Sequence, residues 1–154
     1  MRVVAQRVSS ASVSVGGVPV AAIGPGLCVF AAAGAHDGDA DVGYIADKLA
    51  RLRVFPATGG AAGPPRMTLS LLDIGGELLL IPQFTLYGDV RRGRRPDFTG
   101  AAPPQKGRSL LQSLATALRG HGLMVREGVF GADMDIRADN TGPVTILLDS
   151  GRIF

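Results

Sequence analysis

The chain has one cysteine, no tryptophan, two histidines and, of its 16 basic residues, only two lysines, Lys48 and Lys106. A single thiol forms no internal disulfide, so the fold rests on packing, and the cytoplasm is the expected compartment. Cys28 sits in the apolar run Leu27-Cys28-Val29-Phe30 and reads as a buried, inert thiol. His36 and His121 both lie in polar, glycine-flanked stretches that read as surface turns. The serine elbow Gly-x-Ser-x-Gly, the phosphate-binding Walker loop and the dinucleotide fingerprint Gly-x-Gly-x-x-Gly are all missing. Asp37, Asp39 and Asp41 have the spacing that begins a calcium loop, but Val42 stands where that loop needs glycine and Lys48 where it needs glutamate. Helix capping accounts for these aspartates better. No cluster has metal-ligand spacing; no metal and no cofactor are expected. Residues 18–35 carry no charge, but Pro19 and Gly24-Pro25-Gly26 divide them into pieces too short to span a bilayer as a helix. Gln6 and Arg7 interrupt any apolar leader. A soluble protein with no membrane partner is expected.

What the sequence does contain is aliphatic residues and glycine. The apolar fraction is 46% with only 5% aromatics, and the mean hydropathy of +0.25 belongs to a folded chain with an aliphatic core. Glycine, 22 of 154, is about twice the usual ~7% and marks turns and close backbone approaches. The net charge of +3 and isoelectric point near 9.6 favour a polyanionic partner only weakly.

The length suits one domain, residues 1–154. Residues 2–8 and the alternating 11–15 read as strands, Gly16-Gly17 as a hairpin turn, 18–23 as the returning strand and 27–33 as a central strand. Val42, Ile45, Ala46, Leu49 and Leu52 fall on one helical stripe, with acidic residues leading and Lys48, Arg51 and Arg53 closing. Residues 57–66 read as a mobile loop or hairpin tip, and 77–81 as a strand. Pro103-Pro104 starts a second helix, with Leu110, Leu111, Leu114 and Leu118 on its buried stripe and Gly120 or Gly122 ending it. Strands follow at 123–127, 134–138 and 144–148. The expected class is α+β: mainly antiparallel sheets forming a sandwich or barrel-like core, with two flanking helices.

Three stretches offer chemistry. A strand ending at Pro82 leaves the next peptide N–H groups, those of Gln83 and Phe84, free to hold an oxyanion, and Thr85 adds a hydroxyl; the plain alternative is a strand end with a threonine facing a neighbour. Gly142-Pro143 could form a cis turn with two carbonyls aimed the same way, able to accept from a substrate ammonium; the plain alternative is a turn before the last strand. Arg91, Arg92, Arg94 and Arg95 form the densest basic cluster, either a phosphate-binding surface or a solvated loop.

Pro82-Gln83-Phe84-Thr85-Leu86-Tyr87 and Asn140-Thr141-Gly142-Pro143-Val144-Thr145, in this order, resemble the two signature motifs of the D-aminoacyl-tRNA deacylases. The similarity takes in residues 1–8, Gly24-Pro25-Gly26-Leu27, Leu69 to Asp73, Gly93-Arg94-Arg95-Pro96 and Leu147 to Ser150. It implies a cytoplasmic homodimeric hydrolase that cleaves the ester of D-aminoacyl-tRNA, releasing D-amino acid and tRNA, with mischarged glycyl-tRNA a further candidate substrate. It implies catalytic roles for Gln83, Phe84 and Thr85, with backbone N–H groups holding the oxyanion. Gly142 and Pro143, joined by a cis bond, would cross from one subunit into its partner's site, bind the α-ammonium and exclude L-residues. Arg91, Arg92, Arg94 and Arg95 would meet tRNA phosphates. The family motif, written Ser-Gln-x-x-Thr, is matched here by Gln83-Phe84-Thr85, one residue shorter than that spacing, with Pro82 where the serine stands; any role of that serine is absent. A non-catalytic RNA-binding module and a structural dimer or small-ligand-binding protein are the alternatives.

Overall fold

The computed structural model describes residues 1–57 and 66–153. Most of the Gly/Ala/Pro stretch read as a loop tip lies outside the described residues. In chain order the elements are β1 (Arg2–Val15), β2 (Val18–Ile23), β3 (Gly26–Ala32), α1 (Asp39–Arg51), β4 (Phe55–Pro56), β5 (Met67–Leu69), α2 (Leu71–Ile74) and β6 (Glu77–Pro82). A 3₁₀ turn (Phe84–Tyr87), α3 (Pro104–Gly120), β7 (Met124–Glu127) and β8 (Asp135–Asp149) complete them.

The two runs of valine near the N-terminus form one strand of 14 residues, β1, which organises the molecule. One edge of β1 pairs with β3 through its first half and with β2 through its second; the other edge pairs with β8. Gly16 and Gly17, both at positive φ (56° and 78°), make the two-residue hairpin into β2. All three ladders on β1 are antiparallel, whereas β3–β6 and β6–β7 run parallel. Each parallel pair is joined by a crossover containing a helix, α1 before β6 and α3 before β7, as parallel pairing requires.

The long helices α1 and α3 bury their predicted stripes, except that Leu52 lies just past the end of α1 and is only half-buried. Val42, Ile45, Ala46 and Leu49 of α1 and Leu110, Leu111, Leu114 and Leu118 of α3 pack with Val3, Ala5, Leu27, Val29, Leu78 and Leu80 of the sheet. Each such aliphatic side chain contributes roughly 1.5–3 kcal/mol, which is how a chain with few rings builds its core. A second cluster, with Val8, Val13, Ile23, Cys28, Leu79 and Ile81, fills the other face of the curled sheet. Asp41 accepts from the Gly38 N–H at 2.9 Å, the capping role expected of the acidic run before α1. Among the described residues no helix is long and apolar enough to cross a membrane.

Burial pushes the Cys28 thiol from its ordinary 9.0 up to about 11. The unfolded chain therefore sheds this proton first as pH rises. The stabilisation is whole below pH 9 and falls away as pH climbs through 11. A thiol reagent at pH 8 should label native protein at least about 100-fold more slowly than denatured protein; equal rates would contradict this burial.

Candidate active site

Strand β6 runs two residues, Ile81 and Pro82, further than its partner β7. Leu80 still accepts from the Gly128 N–H at 2.9 Å, but at Pro82, two residues on and facing the same side, β7 has ended. Proline's missing N–H thus costs no ladder bond, and this is why proline is tolerated at the position. Gln83 faces the other way and donates its N–H to the Ala31 carbonyl at 2.8 Å. The chain then tightens into the 3₁₀ turn, closed by Leu86 N–H to Gln83 carbonyl at 3.2 Å.

This geometry corrects the sequence reading by one residue. The Gln83 amide is spent in the sheet and cannot serve an oxyanion. The N–H groups of Phe84 and Thr85, at the open N-terminal end of the 3₁₀ turn, have no partner among the described residues. Gln83 contributes its side chain instead: Nε2 donates to Thr85 Oγ1 in a short contact. Thr85 is then left with its own hydroxyl proton to give.

The turn is held from beneath. The Arg2 guanidinium donates to the Leu86 carbonyl at 3.1 Å and lies 4.5 Å over the Tyr87 ring. Tyr87 donates to Asp37 Oδ2 at 3.3 Å; burial, then the Asp37 charge, raises its pKa well above the usual tyrosine range. On the outer side the Phe84 ring, 58% exposed, meets Phe98 edge-to-face at 5.3 Å. Together these rings border an apolar cavity of about 470 Å³ whose other walls include Ala33, Pro82, Gly107 and Phe130.

Phe98 closes the basic loop, whose ends are tied by reciprocal Asp89–Asp97 backbone hydrogen bonds of 2.7 and 2.9 Å. Arg91 folds back on Asp89, Nη2 to Oδ2 at 2.6 Å, and holds that carboxyl down at about 2. Of the four loop arginines only Arg92, Arg94 and Arg95 stand exposed with no carboxylate partner among the described residues.

Gly142 and Pro143 lie inside β8, which was expected as two separate strands. Pairing with β1 jumps from Gln6↔Thr145 to Val8↔Asn140, so residues 141–144 bulge out opposite Arg7 alone. Arg7 holds the bulge, donating from Nε to the Thr141 carbonyl at 3.1 Å and from Nη1 to the Val54 carbonyl at 2.6 Å. Asn140 Oδ1 accepts from the Val144 N–H at 3.0 Å. The Gly142–Pro143 peptide bond is cis, Gly142 has φ +118°, and both residues are exposed.

Within one chain the two motifs do not meet. Arg7 pairs with Leu27, whereas Pro82 pairs with Ala31, four residues along β3. The bulge on β8 is also three strand spacings from β6. At ~3.3 Å per residue and ~4.8 Å per strand they stand on the order of 15–20 Å apart.

Residues 4–149 match the family described as D-Tyr-tRNA(Tyr) deacylase. A D-aminoacyl-tRNA deacylase of Thermotoga petrophila is 49% identical over 154 residues, all of both chains. One from Bacillus licheniformis is 47% identical over 150 residues, 97% of this chain and 99% of its own. Among solved structures, the c-Myc DNA Unwinding Element Binding Protein superposes with a TM-score of 0.88 at 36% identity, covering 97% of this chain and 98% of its own. A probable eukaryotic D-amino acid tRNA deacylase superposes with a TM-score of 0.81 at 20% identity over 96% of this chain and 97% of its own, a likeness of fold.

Proposed function

The chain belongs to the D-Tyr-tRNA(Tyr) deacylase family, and from that premise we propose that it hydrolyses the ester of D-aminoacyl-tRNA as a chiral proofreading enzyme. The observation that carries this is the pair of unpartnered N–H groups, Phe84 and Thr85, opening beside an apolar cavity. The cavity takes the terminal adenosine, and the ester carbonyl oxygen lies against the two amides. Water adds to the carbonyl carbon, and the negative charge on oxygen is held by donors already in place. The carbon–oxygen bond to the ribose 3′-oxygen then breaks, and that oxygen takes a proton. No basic side chain among the described residues contacts Thr85 to make it a nucleophile. Its hydroxyl, oriented by Gln83, positions the substrate, and the vicinal ribose 2′-hydroxyl is the group best sited to pass the proton.

The exposed bulge reaches a site only if it comes from another chain, because its own Gln83–Thr85 turn is too distant. We therefore assign the active form as a homodimer, in which Gly142 and Pro143 of one subunit enter the partner's site and accept hydrogen bonds from the α-ammonium. With ammonium and ester carbon both fixed, D and L forms exchange only the α-hydrogen and the side chain. Main chain standing where the L side chain must go rejects every L-residue and ignores the identity of a D side chain. Glycine passes, so mischarged glycyl-tRNA is a further substrate. A thousandfold preference needs about 4 kcal/mol.

Paired assays on D- and L-tyrosyl-tRNA, repeated on tRNA ending in 2′-deoxyadenosine, test this reading. Release of D-tyrosine alone, strongly reduced without the 2′-hydroxyl, is expected. Binding of tRNA with no release of amino acid would instead leave a non-catalytic RNA-binding module. Arg92, Arg94 and Arg95 are assigned to acceptor-stem phosphates. Changing Arg91, Arg92, Arg94 and Arg95 together to Ala should lower the slope of log affinity against log salt by about 2.7, for three phosphates rather than four. An unchanged slope would remove the loop from the interface.

A further inference from the structure

An α-helix turns about 100° per residue. On α3, Pro104, Gly107 and Leu111 share the face that lines the apolar cavity, so Lys106 and Arg108 stand on either side of that face. Lys106 is half-buried and donates from Nζ to the Ala35 carbonyl at 2.8 Å, which uses one of its three protons. The Arg108 guanidinium lies 4.7 Å over the ring of Phe130, itself a wall of the cavity, with Nη2 3.5 Å from the Phe130 carbonyl. Among the described residues neither cation has a carboxylate within 4.0 Å, and the first turn of α3 holds no acidic residue. Two cations without carboxylate partners among the described residues are thus braced against carbonyls and an aromatic ring, flanking the face of α3 that lines the cavity without lining it themselves. This is the complement of a strand whose planar terminal base is apolar on its faces and whose linkages are anionic.

We propose that Lys106 and Arg108 hold the phosphodiester groups leading into the terminal nucleoside of the single-stranded acceptor end. This rests on the cavity being the seat of that nucleoside. It gives the enzyme a second phosphate-binding surface, distinct from the arginine loop, that grips the flexible end next to the scissile ester.

Equilibrium binding of a 5′-phosphorylated single-stranded RNA ending in cytidine-cytidine-adenosine tests it, by fluorescence anisotropy across a salt series. In the Lys106→Met/Arg108→Gln variant the dissociation constant should rise about tenfold at low salt. The log–log salt slope should fall by about 1.4, two single-strand phosphates. The charge-keeping Lys106→Arg/Arg108→Lys variant should keep the slope. Unchanged affinity and slope in the neutral variant would overturn the proposal. So would an equal weakening towards uncharged adenosine, or loss of binding in the charge-keeping variant, since either outcome means these residues only shape the cavity. If adenosine 5′-monophosphate showed the whole effect and the longer strand added nothing, a free mononucleotide would replace the strand as occupant. Because binding is read without turnover, a protein that released no D-tyrosine would lose the hydrolase reading while these measurements still decided the phosphate seat.

Discussion

Replacing Phe84 by proline should lower kcat for D-aminoacyl-tRNA hydrolysis by about 10²–10³-fold, the usual loss for one oxyanion donor. The substitution deletes an N–H and little else of the backbone. Phe84 is the first residue of the 3₁₀ turn, where a helical N–H is an orphan anyway and proline's fixed φ is suited. The preceding residue, Gln83, sits at φ −145° and ψ 73°, outside the helical region that proline forbids to its neighbour. The ring is lost as well, and with it the edge-to-face contact to Phe98. Phe84→Ala is therefore the necessary control: it loses the ring and keeps the donor. Rapid-quench measurement of ester cleavage on enzyme-bound D-tyrosyl-tRNA separates the two. The alanine variant should lose about tenfold or less, and the proline variant should lose the rest. If both fell equally, the amide would have no part in the chemistry and the oxyanion would have to be held elsewhere. The same pair of variants should have nearly equal affinity for uncharged tRNA, because the amide meets no group until the ester is present.

The sequence carries the parts of this fold that depend on side-chain period. The stripes of α1 and α3, the glycine pair at 16 and 17 and the alternation at 12–15 each report a local environment, and each element formed where its pattern stood. Pairing is a different matter. Nothing in β6 says that its partner is β3, some 45 residues earlier in the chain, or that the two run parallel, because a buried apolar strand reads alike in either direction. The same ignorance explains the misplaced amide. Proline at 82 rightly signals the end of pairing with β7, but which of the next N–H groups stays free depends on the register with β3: Ala31, inside the strand predicted at 27–33, stands opposite Pro82 and takes the Gln83 N–H. The bulge in β8 is hidden likewise: a Gly-Pro pair reads as a break between strands, whereas β1 is long enough to pair on both sides of it. Arg91 joined a basic cluster by sequence, yet Asp89, two residues before it, takes its charge. Pattern thus locates the candidate site to within a residue or two, and hydrogen-bond register decides which atoms in it are available.

Gly142→Ala should abolish stereochemical discrimination and reduce D-substrate turnover by at least about 100-fold, or 2.7 kcal/mol. Two features make the position intolerant of a methyl. Its φ of +118° is a conformation that only glycine adopts readily. An added Cβ would also stand 2.6 Å from Arg7 Nη2 and 2.9 Å from Val144 Cγ2. The Arg7 side chain must then swing aside, giving up its hold on the Thr141 carbonyl, and the bulge loses the brace that points it outward. Backbone strain of this kind costs about 1–3 kcal/mol, so the variant should fold at a lowered melting temperature while its site is misaligned. Mixing it with Phe84→Pro then asks where the two motifs act. If the bulge serves the partner's site, a mixed dimer has one doubly defective site and one whose turn and bulge are both native. Free subunit exchange in an equal mixture puts half the dimers in that form, so about a quarter of wild-type activity should return from two nearly inactive proteins. If each chain completes its own site, every site in the mixture carries one lesion and nothing is recovered. The 15–20 Å that separates the turn from the bulge within a chain favours recovery. A mixture that exchanges subunits and stays inactive would require the α-ammonium to be held by some other group near Thr85.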